Sequence, residues 1–431
     1  MANMSEAPSQ SALLKLLGIS VVVGICGAIA AAVLLMIIEQ GTELVFTRIP
    51  EALGMESTPW WWAAVLLLIS AALVALTKKM PGATGSGPLS GFHFDTPLQV
   101  VPSVLLAALA TLIFGIALGP EAPLIILGTT VGALLARKAD PRTRQAIMML
   151  GGVAAISAVF GNPFITAFMI LEFAAMGMVP ALLITPVLVA LGSSYLVQVG
   201  IWGLPGFGVH SLSVPGLPAY PEIDFGDLFF AALVGIVAGL VAVLAREGGA
   251  AFDRFSQKRV TLGLFLAAIV TAVVLFIAMN GYSIPMDQIL FSGNSGMSGL
   301  IQETSIAAVI VVLVGKGLAY AVALGGGFRG GPIFPATFLG VAVAVLAVLI
   351  FPNDSVSAMA AAGIAASAAA MLKLPATSAL LGMLLIVGAG PAIAPFAILG
   401  AAVGFVIRVV ADKKLGHDES PAHVPEGAAS Q

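Results

Sequence analysis

The sequence predicts an all-α protein that crosses a membrane many times and is built from two related halves. Three observations carry this expectation. Apolar residues make up 59% of the 431 positions and charged residues 9%, against about 25% charged in an ordinary soluble domain, so most of the surface suits lipid rather than water. Apolar stretches recur along the whole chain at lengths near the roughly 20 residues that cross a bilayer. Two of these stretches are broken by Gly/Pro runs that superimpose when the chain is slid along itself by 212 positions. GPEAPLIILG from Gly119 then lies over GPIFPATFLG from Gly331, and the same shift pairs Gly151 with Gly363 and Pro163 with Pro375.

The elements follow in order. Leu13–Ile38 is too long for a signal-peptide core and no small-residue cleavage pattern follows it, so it is read as a helix of the mature protein. Trp60–Leu76 opens on Trp60, Trp61 and Trp62, which reads as an interfacial aromatic belt. Val104–Leu118 and Leu124–Leu135 flank the first break, and Ala146–Val159, Phe164–Ala174 and Ala181–Val199 complete the first half. Leu228–Leu244, Leu262–Met279 and Ile306–Leu324 precede the second break; Ala336–Phe351, Val356–Leu372, Ser378–Val387 and Pro391–Val410 follow it. Several of these segments are too short to span alone. Ending in Gly and Pro, they read as re-entrant half-helices, whose open backbone ends are tolerated only inside protein or beside a water-filled cavity.

The boundaries are expected at 1–11 for a cytosolic N-terminal segment, 12–205 for the first membrane repeat, 206–221 for a Gly/Pro/Ser-rich linker, 222–416 for the second repeat and 417–431 for a disordered polar tail. Lys15 before the first span and Lys78–Lys79 after the second place both in the cytosol by the positive-inside rule, and Arg408, Lys413 and Lys414 suit a cytosolic C-terminus. This describes a multi-pass protein of the cytoplasmic (inner) membrane. A net charge of −3 with scattered basic residues offers no nucleic-acid stripe. Cys26 is the single cysteine and lies in an apolar span, so neither a disulfide framework nor a cysteine metal site is expected, and no cofactor is called for.

Glu121 is the focus of the chemistry, because an ionisable residue inside a broken apolar stretch is costly and is by default functional. Pro120 suits the first turn of a helix, where its missing N–H is not needed, so a helix should begin at Glu121. The backbone N–H groups of such a helix start, with its dipole, make an anion site. A carboxylate there can occupy the site itself, or protonate and swing out so that a free anion takes its place. A plain helix cap is the bland reading. In the second break the amides of Ile333 and Phe334 repeat that helix start without the acid. A third run, Gly85–Ser86–Gly87–Pro88, offers a hydroxyl donor on Ser86 and close backbone approach at Gly87, though Ser before a helix is usually an N-cap.

Together these residues resemble the CLC family of chloride channels and proton-coupled chloride transporters. That family carries a G-S-G-x-P motif with the chloride-binding serine, a G-x-E-G-P motif with the gating glutamate and a G-x-F-x-P motif that supplies backbone amides. Here they read GSGPL from Gly85, GPEAP from Gly119 and GPIFP from Gly331, in the same order, and the resemblance runs from about Leu13 to Lys414. It implies inverted repeats, a homodimer with a separate pore in each subunit, a chloride or similar anion held by Ser86, Gly87, Ile333 and Phe334, and gating by Glu121, with protons as a possible second substrate. The departures are Pro88 directly after Gly87, Pro120 where a basic residue is frequent, Ala122 in place of Gly, and Pro335 directly after Phe334. Aligning NPFITAFMILEF from Asn162 puts Phe173 at the family's internal proton glutamate and Glu172 beside it. The final tyrosine is Tyr320, so the family's C-terminal tyrosine has no counterpart and the inner gate must differ.

Glu172 keeps two readings, a structural pair or a lining of an internal water route that supplies protons to Glu121. Channel and proton-coupled exchange both stay open. Two rival classes are an intramembrane serine hydrolase using Ser86 and His93, which lacks an orienting acid and a nucleophile elbow, and a cation/proton carrier using Glu121 and Glu172, against which the helix N-termini at the breaks argue. The expected protein is a transporter and not an enzyme.

Overall fold

A computed structural model describes residues 10–80, 87–201, 213–352, 355–386 and 388–416. The expected N-terminal segment is therefore described only from Gln10, where a helix already runs. The tail 417–431, residues 206–212 of the linker 206–221 and Ser86 lie outside the described residues.

The first half holds α1 (Gln10–Glu43), which runs through a π-turn at Leu44–Arg48 into the short α2 (Ile49–Ala52), then α3 (Trp60–Thr77) and α4 (Val101–Ile113). It continues with α5 (Glu121–Leu135), α6 (Pro141–Phe160), α7 (Pro163–Ala175) and α8 (Ile184–Ile201). The second half holds α9 (Phe225–Ser256), α10 (Val260–Tyr282), the short α11 (Met297–Ile301), α12 (Ile306–Gly325) and α13 (Ile333–Ile350). It closes with α14 (Val356–Leu372), α15 (Pro375–Leu384) and α16 (Ala394–Leu415). Among the described residues nine helical segments are long and apolar enough to cross a membrane, and α4, α5, α7, α14 and α15 are apolar but shorter. Val104–Leu118, expected as one apolar helix, is helical only to Ile113; Gly115, at a φ of +89°, turns the chain out of the helix there.

Helix starts follow local chemistry. Asp140, Asn162, Asp224, Ser305 and Ser355 each accept a backbone N–H of the first turn of α6, α7, α9, α12 and α14, so otherwise orphaned donors are satisfied. The Asp140 carboxyl, in the exposed turn before α6, is held below the ordinary carboxylate range chiefly by the Thr143 hydroxyl and then by the Thr143 amide.

The two halves pack in the same way. α1 lies on α6 and α8 as α9 lies on α14 and α16; α5 packs on α6 as α13 packs on α14. The repeated glycines are the crossing points. A methyl at Gly128 would collide with the Gly151 carbonyl, and a methyl at Gly340 with the Gly363 carbonyl, so only glycine lets these backbones touch, as at other small-residue helix crossings in membranes. Each half thus has a central pillar. In α6 every residue from Ile147 to Phe160 is buried, and in the alanine-rich α14 every residue from Ser357 to Met371. The turns match too: Gly115 and Gly327 share a left-handed φ at equivalent positions, as do Gly161 and Lys373.

The chain between α8 and α9 is stitched to the second half where it is described. Val214 donates to Leu385 O, Tyr220 N to Ala389 O, and the Ser357 hydroxyl to Pro218 O. Tyr220 Oη in turn donates to Asp227, at the start of α9. Arg408, which the sequence suggests as a flank of the last span, is buried instead. Its guanidinium caps the carbonyls of Ala370 and Met371 at the end of α14 and pairs with Asp412, which Lys373 also reaches.

Candidate functional site

The two breaks meet. Gly119 N–H donates to Gly331 O at 2.8 Å and Gly331 N–H to Gly119 O at 2.6 Å, an isolated antiparallel bridge and the one β-bridge among the described residues. Two equivalent loops can pair antiparallel in this reciprocal way when a two-fold axis relates them, and here the axis relates inverted repeats. From the bridge α5 and α13 leave, each beginning just after a proline, with Pro120 and Pro332 as N-caps.

Glu121 is the first residue of α5 and is fully buried. Its side chain turns across the bridge to the opposite repeat, where Oε1 accepts from Ile333 N–H at 2.8 Å and Phe334 N–H at 3.0 Å. The amides expected to face a permeating anion are therefore held by a carboxylate oxygen. These are charge-assisted bonds of about 1.5–3 kcal/mol each, aided by the positive end of α13. The other oxygen, Oε2, has no donor among the described residues. It lies against Gly119 and Gly331, where any Cβ would collide with it. The glycines of the two breaks thus make room for one anionic group between two helix starts.

Other expected residues fall at different distances from this centre. Gly87 caps a single 3₁₀ turn, Pro88–Ser90, rather than a long helix, and the Arg329 guanidinium lies beside it. Ser86 is outside the described residues. Glu172, on α7, reaches the start of α15: one oxygen accepts from Ala376 N–H, the other from Thr377 N–H and the Thr377 hydroxyl. In this geometry the Glu172 carboxylate caps the start of α15. Phe173 is buried and stacks edge-on with Phe92 at 6.4 Å. His93 is exposed and its ring meets the Ser90 carbonyl at 3.0 Å, which supplies no orienting acid for a hydrolase. Both candidate carboxylates of a cation carrier accept amide donors at separate helix starts, an arrangement that suits anions.

Sequence reasoning passed over three residues. Lys316 and Tyr320, one turn apart on α12, are both fully buried. Lys316 Nζ donates to the carbonyls of Leu290 and Phe291 at 2.6 and 2.9 Å and lies 5.1 Å from the centre of the Phe338 ring. Tyr320 Oη donates to Pro332 O at 2.6 Å. The third is Arg329, whose N–H meets the Thr111 hydroxyl in the first repeat. The signal for Lys316 was legible as a lone cation inside a 20-residue apolar helix.

These features define a membrane transporter that places an anionic group on paired half-helix starts inside a duplicated helical shell. The chain belongs to the voltage-gated chloride channel family: the family described as "Voltage gated chloride channel" matches residues 86–409. It is accordingly a transporter of small anions, by channel or by exchange. It is 25% identical over 342 residues to a "Chloride/fluoride channel protein" of Pseudomonas syringae pv. tomato, a match that covers 77% of this chain and 72% of that one. Its fold is similar to that of a slow cyanobacterial Cl⁻/H⁺ antiporter, with a TM-score of 0.75 at 19% identity over 96% of this chain and 100% of the other. A CLC-type fluoride/proton antiporter aligns with a TM-score of 0.67 at 17% identity, over 93% and 97% of the two chains.

Proposed function

We propose that the chain passes chloride or fluoride through a pathway that Glu121 closes by occupying the anion's own place. The observation that carries this reading is the pair of bonds from Ile333 and Phe334 N–H to one carboxylate oxygen. A halide needs the same convergent amides and the same helix dipole, so carboxylate and halide compete for one site. Protonation weakens the carboxylate's hold on those amides and opens the path. Ser86 and Gly87 supply the inner end of the route by their likeness to the family's serine motif, and the Arg329 guanidinium beside Gly87 adds positive charge there. Proton-coupled exchange would need a second carrier on the inner side. Glu172 serves only if it leaves its three donors on α15, so the reading favoured is passage of anions with protons acting at Glu121. The family resemblance further supports a homodimer in the inner membrane, a separate pathway in each subunit and both termini in the cytosol.

The test is halide flux from liposomes that hold the purified full chain. Glu121→Gln copies the protonated gate, so halide efflux should persist at neutral pH and lose most of its acid activation. Flux of the variant that rises with acid as steeply as the wild type would reject the gate. Reversal potentials under separate chloride, fluoride and pH gradients then separate the two modes. A potential indifferent to the pH gradient means a channel, and one that moves with it means exchange.

A further inference from the structure

We infer that Tyr320 is a positioning residue of the anion site, whose phenol holds and polarises one of the two peptide groups that face the anion, the one between Pro332 and Ile333. The inference rests on the reading of Glu121 as a stand-in for the transported halide. The Tyr320 hydroxyl donates to Pro332 O at 2.6 Å, and Ile333 N–H donates to Glu121 Oε1 at 2.8 Å. That carbonyl and that N–H are two ends of a single peptide unit. Because the unit is conjugated and planar, a donor on its oxygen draws electron density from its nitrogen and makes the N–H a stronger donor. Such coupling strengthens a bond by about 10–30%. The same contact fixes the plane of the peptide, so the N–H points at the site before any anion arrives.

Two further facts favour this role over simple core packing. The phenol is fully buried, and a buried hydroxyl must find an acceptor; here it takes the carbonyl next to the binding amides. The repeats also differ at this point. The position of α4 that corresponds to Tyr320 is Ala108, and the residue that corresponds to Ile333 is Glu121 itself. Only the repeat whose amide does the binding carries the phenol. Its neighbour Lys316 is matched by Val104 in the same way.

Calorimetric titration of the full chain with chloride and with fluoride tests the inference, in the wild type and in the Glu121→Gln background, where the carboxylate no longer competes. Tyr320→Phe removes one oxygen and keeps the ring. It should weaken halide binding in Glu121→Gln by roughly 1.3- to fourfold, the scale that a 10–30% change in one charge-assisted bond predicts. Should Tyr320→Phe fail to fold, mono- and difluorotyrosine at position 320 give progressively stronger donors of nearly unchanged size. Affinity should then climb stepwise with donor strength, a trend that packing alone would not produce. Halide affinity unchanged in Tyr320→Phe, or flat across the fluorotyrosine series, would overturn the role of Tyr320 and leave the site intact. Absence of any halide binding in Glu121→Gln would instead remove the site reading and the Tyr320 inference with it.

Discussion

Lys78 shows how a single charge near the route should make itself felt. It caps α3 and its Nζ lies beside Gly327. Burial first, and the Arg329 charge second, push its amino group down to about 8, while Asp253 pulls the other way. The ammonium is present below that pH and lost above it. If halides pass this point, uptake from the Lys78 side should fall as pH rises through about 8, and Lys78→Met should flatten that limb while sparing the acid activation at Glu121. Stability runs in the opposite sense, since the unfolded chain, with its ordinary value of 10.5, binds more protons in the window between the two values and folding is favoured as pH rises through it. At this scale the sequence exposed Glu121, Ile333 and Phe334 because a carboxylate and paired prolines stand out in apolar surroundings. It did not expose the pairing of Glu121 with the opposite repeat, since a contact across 212 residues leaves no local period. Tyr320 stayed hidden because a tyrosine in an apolar helix is ordinary until its acceptor is known.

Among the elements, α12 acts as a brace between the two breaks. Tyr320 holds the second loop, while Lys316 holds the carbonyls of Leu290 and Phe291, and Phe291 N–H in turn donates to Gly115 O in the first. The helix crossings are equally sharp. Gly340→Ala would drive a methyl into the Gly363 backbone, and overpacking of this kind costs about 1–3 kcal/mol. The equivalent Gly128→Ala meets the Gly151 carbonyl and should cost about as much. Thermal unfolding in detergent should show both variants melting well below the wild type and by similar amounts; a harmless Gly340→Ala would mean that α13 and α14 can separate freely. The duplication was legible in these same glycines, because backbone contact tolerates no other residue. Helix lengths were less so: the turn at Gly115 ends α4 before the apolar run does, and apolar composition does not mark where a helix stops.

At the level of the whole molecule, Glu121 and the amides that hold it arrive at very different times. The ribosome adds about 5–20 residues per second, so the 212 residues between Glu121 and Ile333 take on the order of 10–40 s to make. Throughout that interval the first repeat has a carboxylate and a broken backbone in the membrane with no partner for either. Such groups are costly in hydrocarbon. The nascent first half should therefore stay close to the insertion machinery or to a membrane chaperone until the second break emerges. Ribosome-bound chains stalled shortly before Gly331 should crosslink to those factors from the Glu121 loop, and chains stalled well past Phe334 should lose the crosslink. Absence of the crosslink at both lengths would mean that the first half folds without its counterpart. The contact between Glu121 and the second break, proposed above to close the anion path, would then also be, during synthesis, the step that releases the chain into the bilayer.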